Sequence, residues 1–294
     1  MTTLPQQLAA KPERTQSPMV KTLVRMLRDP RGALSISVLL LMLLAGVFAH
    51  VLSGDPTAQS AGTKLLPPSR EHLFGVDELQ RDLLARTLFG LRSSLAMAYL
   101  AVPVGAAAGA SFGFTVGYAG RWIDATAMRF VDSMLAFPGL LLALGILTVL
   151  GPGVVNVGIA IAFLDFSIFA RMARGQMLSE RTAEYVMAAR TLGARPVRII
   201  FRHIAINALP PLLTQLSLAM AAAVLLEASL SFLGLGDKPP AASLGGLINA
   251  SRSYLRIAWW YPLFPGMMLA ALLLSLNFLA DVFNEATNPW ARRG

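Results

Sequence analysis

The sequence predicts an all-α membrane protein with six transmembrane helices, and two observations lead to this prediction. The 294-residue chain is 55% hydrophobic and only 14% charged, and its mean hydropathy is +0.59. Its charges fall in clusters, and the uncharged runs between them approach the roughly 20 residues that a helix needs to cross a hydrocarbon core about 30 Å thick. Several such runs in one chain indicate a polytopic membrane protein.

Six runs of this kind follow one another, and each predicts one transmembrane helix. They cover residues 35–52, 94–118, 130–150, 154–170, 209–230 and 263–283. Gly151-Pro152-Gly153 separates the third run from the fourth by a tight turn. About thirty polar and basic residues precede the first run, which is long enough to span. We therefore expect a permanent anchor helix rather than a cleaved signal peptide.

Lysine and arginine residues are concentrated on one side of the predicted topology. The tail before the first run contains Lys11, Arg14, Lys21, Arg25, Arg28 and Arg31. The loop after the fourth run contains Arg171, Arg174, Arg181, Arg190, Arg195, Arg198 and Arg202. Because basic loops stay in the cytoplasm, both termini and this loop are predicted to be cytoplasmic. The net charge of +9 then reflects topology and contact with an anionic lipid bilayer. No nucleic-acid partner is expected, since the basic residues lie beside the spans.

Several kinds of chemistry are excluded by residues that the chain lacks. It has no cysteine, which excludes disulfides, thiolate metal sites and cysteine nucleophiles. Its three histidines, His50, His72 and His203, are scattered, so no histidine metal site is expected within this chain. No Gly-Lys dipeptide occurs, which excludes a phosphate-binding P-loop. The chain is accordingly predicted to be no enzyme and to hold no cofactor, and any ATP must be hydrolysed by another polypeptide.

The cytoplasmic loop at about residues 178–207 predicts a charged helix-turn-helix. Its first helix is expected to begin near Arg181. Glu184 then lies in the first turn, where a carboxylate favours the positive end of the helix dipole. Ala188 and Ala189 make one face slim and favour the helix. A slim, rigid helix outside the membrane can enter a groove on a soluble partner; the alternative is an ordinary amphipathic loop.

A turn and a second helix follow in the same loop. Arg190 lies in the last turn of the first helix, and Gly193 is placed to end it in a left-handed conformation. Pro196 suits the first turn of the second helix. An apolar stripe is expected along that second helix at Val197, Ile200, Phe201 and Ile204. This pattern is typical of a helix lying at the membrane surface.

Several strings of residues, in a fixed order, carry a family resemblance. The spacing of Glu184, Ala188, Ala189 and Gly193 resembles the EAA loop of bacterial ABC importer permeases. Family patterns also match His72 to Asp82 (H-L-F-G-V-D-E-L-Q-R-D), Asp132 to Pro138 (D-S-M-L-A-F-P) and Glu227 to Gly236 (E-A-S-L-S-F-L-G-L-G). Over residues 72–289 the chain looks like the second permease subunit of the dipeptide, oligopeptide and nickel ABC importers. The resemblance implies the type I ABC importer permease fold and a place in the bacterial cytoplasmic (inner) membrane.

The chain also departs from the family's patterns. Val76 and Gln80 stand where the usual residues are threonine and glycine. Asp165 opens the string D-F-S-I-F-A-R, where the family usually reads S-W-P-x-Y-A-R. Ile206 and Leu244 replace a proline and a tryptophan. These departures predict a substrate path unlike that of the best-known dipeptide importers.

The resemblance implies partners as well as a fold. A homologous second permease subunit completes the pathway, one or two kinds of cytoplasmic ABC ATPase hold ATP and Mg, and an extracytoplasmic substrate-binding protein delivers the cargo. The ATPases push on the loop residues Glu184, Ala188, Ala189, Arg190 and Gly193. The implied function is ATP-driven, binding-protein-dependent uptake of peptides or related small solutes, with nickel chelates or glutathione as alternative cargo. A different class, an ion-gradient-driven carrier or channel, would better explain acids inside the spans.

The predicted organisation has five parts. They are a basic cytoplasmic tail (1–34), a first anchor helix (35–52), an extracytoplasmic segment (53–93), a permease core that contains the coupling loop (94–283) and a cytoplasmic tail (284–294). Residues 55–81 and 231–261 are expected to meet the binding protein, with Trp259, Trp260 and Tyr261 as an aromatic belt at the membrane surface.

Three acids lie within or beside the predicted spans, where a carboxylate is costly. Asp132 is expected to reach the cytoplasmic surface or to pair with Arg129. Glu227 is predicted either to touch substrate or hold the outer gate, or to make a hydrogen bond between helices. Asp165 is predicted either to line an inner cavity that favours cationic or amine-bearing substrates, or to form a salt bridge with an arginine on another helix.

Overall fold

A computed structural model of the chain describes residues 24–59, 62–238 and 240–287. These residues are mostly helical, and β structure among them is limited to isolated bridges that join Gln59 to Arg81 and Val76 to Asp82. The all-α prediction is therefore confirmed for the described residues. Most of the predicted N-terminal tail and the last residues of the predicted C-terminal tail lie outside them.

The helices are numbered along the chain. They are α1 (Pro30–Val47), α2 (Leu83–Ala119), α3 (Arg121–Leu135), α4 (Gly139–Leu150), α5 (Val154–Glu180), α6 (Glu184–Thr191), α7 (Pro196–Arg198, Ile199–Ile204 and Ala205–Asn207), α8 (Leu209–Phe232), α9 (Leu244–Ser251) and α10 (Trp260–Thr287). Two short helical segments, Ala49–Ser53 and Arg252–Tyr254, are left without a number. In the described part of the chain, α1, α2, α5, α8 and α10 are each long and apolar enough to cross a membrane. The helices α3 and α4 together pass the same test as a bent pair.

Polar caps make two helices begin before their apolar runs. The side chain of Asp29 accepts a hydrogen bond from the backbone N–H of Arg31 at 2.8 Å, so α1 begins at Pro30 rather than at residue 35. Asp82 accepts from the backbone N–H of Ala85 at 2.9 Å, so α2 begins at Leu83 rather than at residue 94. The segment 53–93, predicted to be extracytoplasmic, therefore contains the first part of α2.

The predicted third span, residues 130–150, is not one continuous helix. It contains the C-terminal end of α3 and the whole of α4, and these two helices meet at an angle of 93°. Proline disfavours the helical conformation of the residue before it, and Pro138 itself is extended, with φ −56° and ψ 129°. Helix α3 also carries four charged residues, Arg121, Asp124, Arg129 and Asp132, whereas α4 carries none. The described residues thus contain five continuous candidate spans and one bent pair, which gives five spans, or six if the bent pair is one span.

Helices α2 and α5 pack closely, backbone against backbone. Gly105, Gly109 and Gly113 recur every fourth residue on α2 and face the backbone of α5 at Ala162, Phe166 and Ala170. A Cβ atom at any of these glycines would lie within 3.0 Å of that backbone. Small residues at this spacing let two membrane helices approach closely. The α2–α5 pair is therefore a rigid unit onto which the other helices pack.

The two ends of α5 define the two ends of the molecule, about 40 Å apart at 1.5 Å per residue. Helix α6 follows the C-terminal end of α5, which continues to Glu180 rather than stopping at residue 170. At the other end, the backbone N–H of Gly153 donates to the carbonyl of Leu235 at 3.3 Å. Trp260 and Tyr261 are buried at that end together with Leu83. Only Trp259 of the predicted aromatic belt is exposed, because the other two rings fill this cluster.

Candidate functional site

Helix α6 carries the loop residues that the sequence singles out, and its ends are well defined. It begins at Glu184, three residues after the predicted start at Arg181. The backbone N–H groups of Gly193 and Ala194 donate to the carbonyls of Arg190 and Ala189 at 2.9 and 3.0 Å, which is the Schellman pattern. Gly193 has φ +77°, and a Cβ atom added to it would meet nothing within 4 Å. Backbone conformation, not space, therefore requires glycine here.

The two faces of α6 have different surroundings. Val186 is fully buried, and Tyr185 and Ala189 pack beside it against the core of the membrane helices. Away from this contact, Met187 is 52% exposed, and Leu192, just after the last helical residue, is 87% exposed. The predicted loop residues Glu184, Ala188, Arg190 and Gly193 are likewise exposed. The two adjacent alanines thus have different surroundings. Ala189 allows α6 to pack close to the core, and Ala188 presents only a methyl group on the exposed side.

Helix α6 is tied to both helices of the rigid unit. The hydroxyl of Tyr185 donates to a carboxylate oxygen of Glu180 at 2.6 Å, at the end of α5. Burial, together with this hydrogen bond, raises the pKa of Tyr185 above its usual value. The guanidinium of Arg190 lies over the ring of Tyr118, 5.3 Å from its centroid, near the end of α2. Helix α6 is therefore in contact with the ends of both α2 and α5.

The second helix of the loop differs from its prediction in one respect. Ile200 and Ile204 are buried as expected, but Val197 is 68% exposed and Phe201 is 45% exposed. Residues Ile199–Ile204 form a π turn, whose wider i→i+5 spacing rotates the apolar stripe and brings Ile199 into the core. Phe201 and Val197 consequently add apolar surface on the exposed side of the loop.

Two ion pairs attach α3 to the C-terminal half of α5. The guanidinium of Arg174 donates to both carboxylate oxygens of Asp124, at 2.9 and 2.7 Å. Asp132 pairs with Arg171 on α5. Of its two predicted alternatives, the pairing with Arg129 does not occur among the ion pairs of the described residues. Both pairs cross from one helix to another, so α3 is held to the helix that leads into α6.

Asp165 lies near the middle of α5 and lines a cavity of about 340 Å³. Its side chain is buried, at 6% exposure, and its Oδ2 has no hydrogen-bond partner in the described part of the chain. No ion pair of Asp165 occurs among the described residues. Of the two predicted alternatives, the geometry therefore supports the cavity and not the salt bridge within this chain.

Glu227 is buried near the other end of the molecule and is fully hydrogen-bonded. It accepts from the hydroxyl of Ser94 on α2 at 2.7 Å and from that of Ser231 at 2.8 Å. Asp237, just beyond α8, accepts from the neighbouring Ser93 at 3.2 Å. Two acids thus join α8 to α2 through adjacent serines, and the geometry of Glu227 is that of a bond between helices.

The string from His72 to Asp82 folds into a compact cap at the same end. His72 Nδ1 lies 2.9 Å from Asp82 Oδ2, and Arg81 Nε lies 2.7 Å from Asp77 Oδ2. Gly75 has φ +81°, and a Cβ there would lie 2.8 Å from Trp260 Nε1. Gln80, which replaces the family's glycine, adopts φ +64°. The left-handed backbone at residue 80 explains why glycine is the usual residue there.

Comparison with known proteins shows which family has this architecture. Residues 109–293 match the family described as binding-protein-dependent transport system inner membrane component. The chain belongs to this family. It is 36% identical to the dipeptide transport system permease protein DppC of Alkalihalophilus pseudofirmus, over 93% of this chain and 90% of that protein. It is 38% identical to the probable D,D-dipeptide transport system permease protein DdpC of Escherichia coli, over 92% of this chain and 91% of that protein.

A solved structure shares the fold of this inner membrane component. Inward-facing crystal forms of the MetNI methionine ABC transporter match with a TM-score of 0.52 at 19% identity, over 70% of this chain and 96% of that one. At this identity the likeness shows the fold alone. The chain is thus an ABC importer permease, a transport subunit and not an enzyme.

Sequence reasoning missed some polar contacts of this permease. Ser93, Ser94 and Asp237 were not singled out from the sequence. Two adjacent serines in an apolar run nevertheless indicate a hydrogen-bond partner on another helix. The pair Asp124–Arg174 was also missed. Its signal is the placement of Asp124 and Asp132 eight residues apart on α3, which puts both acids on one face of that helix.

Proposed function

We propose that this chain is one of two homologous permease subunits of an ATP-driven importer that takes up peptides or related small solutes from a substrate-binding protein. One observation carries the proposal: the similarity to named dipeptide permeases extends over more than nine tenths of this chain. Nickel chelates and glutathione are alternative cargoes within the same class.

The proposed topology places the chain in the bacterial cytoplasmic membrane with six crossings. The bent pair α3–α4 supplies the third crossing, with the amphipathic α3 at the inner surface and α4 inside the bilayer. Both termini and α6 are cytoplasmic, in agreement with the seven arginines between Arg171 and Arg202. The cap formed by residues 72–82 and the segment around α9 are then extracytoplasmic, where they meet the binding protein.

The exposed face of α6 is proposed to be the surface on which a cytoplasmic ATPase acts. Glu184, Ala188 and Gly193 lie on it, and the exposed Arg190 lies beside it, towards Tyr118. Ala189 faces inward and sets the distance between α6 and the core. One or two kinds of ATPase subunit supply ATP and Mg, and their closure moves α6. The links from Tyr185 to Glu180 and from Arg190 to Tyr118 pass that motion to α5 and α2.

The acids are proposed to have different roles in the pathway. Glu227 joins α8 to α2 at the outer end through its hydrogen bond with Ser94. Opening of the outer gate would either break this hydrogen bond or move the two helices together. Asp165 lines the inner part of the pathway. A carrier or channel driven by an ion gradient is the second candidate function, and the unpartnered Asp165 is the observation that favours it.

The test replaces one exposed residue of α6. Ala188→Arg introduces a large charged side chain on the outer face without touching the core, so the permease should stay folded. We expect the binding of the ATPase subunit to weaken about tenfold, a loss of about 1.4 kcal/mol, and ATP-driven dipeptide uptake to fall with it. Ala250→Arg, on an exposed residue of α9 at the opposite end, is the matched control and should retain the ATPase. Normal ATPase retention and uptake in Ala188→Arg would refute the docking role of α6.

A further inference from the structure

The cavity around Asp165 combines one carboxylate with a wall that is apolar apart from Ser167, whose hydroxyl donates to the carbonyl of Leu164 at 2.7 Å. It lies between the bend that joins α3 to α4, the middle of α5 and the middle of α8. Its volume of about 340 Å³ is within the range of about 300–1,000 Å³ that holds small ligands. Its lining residues include Met134, Phe137, Leu164, Ala223 and Leu226. We propose that this cavity binds a primary ammonium group of the cargo, with Asp165 as its counter-ion.

The state of Asp165 is the reason to expect a cation. Its side chain is 6% exposed and its Oδ2 has no hydrogen-bond partner among the described residues. A buried carboxylate without a partner is costly, so such groups pair with a cation or mark a pathway. Glu227, equally buried at 2% exposure, accepts two serine hydroxyls instead. The contrast shows that this fold can satisfy a buried acid internally, and that it leaves Asp165 open.

The rest of the wall selects the kind of cation. A divalent metal ion needs several oxygen or nitrogen ligands, and the described residues contain no group of three or more acids or histidines that could hold one. An ammonium group on an aliphatic stem needs one carboxylate for its charge and apolar surface for its carbon atoms. The amino terminus of a peptide and the end of a lysine side chain both have this form.

The mouth of the cavity is open on the surface of this subunit. Phe137 at the bend is 61% exposed and Ile168 on α5 is 37% exposed, and Ala222 on α8 is exposed as well. A solute moving along that surface can reach Asp165. The proposal rests on the proposed function for the identity of the cargo, because the surface carries cargo only if this side faces the pathway between the two permeases.

Carbodiimide labelling of the wild-type complex tests the proposal directly. The permease, its partner permease and the ATPases are placed in lipid nanodiscs without binding protein. Dicyclohexylcarbodiimide then activates buried carboxyl groups, which rearrange to a stable adduct or form an amide with a nearby amine and release dicyclohexylurea. Mass spectrometry follows the loss of unmodified Asp165 and of unmodified Glu227 separately, so that both products count as reaction. Two probes are compared at equal concentration: alanyl-alanine amide, which carries a free ammonium group, and its N-acetylated form, which is neutral. Glu227 is the matched control, because its oxygens already have partners.

We expect the free-amine probe, at about ten times its Kd, to slow the labelling of Asp165 about tenfold. The N-acetylated probe should change it little, and neither should affect Glu227. Equal protection by both probes, or none by either, overturns the proposal. It is also overturned if Asp165 reacts in the isolated subunit but not in the complex without probe, since a partner side chain then holds it. ATP-driven dipeptide uptake is measured separately, so the proposed function can fail while the amine site stands, or the reverse.

Discussion

A methyl group added at Gly109 should push α2 away from α5. The Cβ of Gly109→Ala would lie 2.9 Å from the Cα and carbonyl carbon of Phe166 and closer still to its carbonyl oxygen. Ordinary contact begins at 3.4 Å, so the two backbones must separate by at least 0.5 Å. The atoms that the new methyl group meets all belong to the backbone, so no flexible side chain can move aside to relieve the contact. A gap of about 0.5–1 Å removes a quarter to a half of the van der Waals energy of each atom contact between the two helices.

We expect Gly109→Ala to lower the free energy of unfolding by about 1–3 kcal/mol, the usual range for overpacking. Gly175→Ala is the matched control, because it lies on α5 with nothing within 4 Å of its added Cβ. That change should be neutral or stabilising by up to about 1 kcal/mol. Unfolding of the purified permease in mixed micelles with increasing sodium dodecyl sulfate measures both. The reasoning is refuted if Gly109→Ala is as stable as wild type, or if Gly175→Ala loses as much.

Two further predictions concern charge. The first is tested by double-mutant cycles, measured by the same unfolding. The pair Asp124–Arg174 should give a coupling energy of about 1–2 kcal/mol, whereas the exposed pair Asp132–Arg171 should give less than about 1 kcal/mol. Equal coupling energies would contradict the idea that burial makes the first pair the stronger one. Burial raises the pKa of Asp237 above its ordinary value of 3.8. Protonation of this carboxyl group is therefore more favourable in the folded state than in the unfolded state, and the stability that it contributes is lost as the pH rises through the folded pKa. Asp237→Asn should therefore raise the thermal midpoint at pH 7 but not at pH 3, and the same shift at both pH values would contradict this.

The membrane class and the coupling loop could be read from the sequence because both depend on local properties. The length of an uncharged run shows whether a helix can cross a bilayer, whichever helices surround it. The left-handed end of α6 requires only glycine at residue 193 and the turn around it. Helix starts at Leu83 and Pro30 were misplaced for an equally local reason: the caps Asp82 and Asp29 begin a helix outside the apolar run that was counted.

Contacts between distant segments could not be read in this way, because they depend on which helices pack together. The glycines at residues 105, 109 and 113 bring α2 against α5, and this packing helps to decide which groups meet. Asp132 therefore finds Arg171 across the helix boundary and not Arg129 beside it, and Glu227 finds Ser94. Asp165 finds no partner in the described chain. A carboxylate in an apolar run looks the same in sequence in all three cases; its neighbours in space decide whether it is a link between helices or an open site.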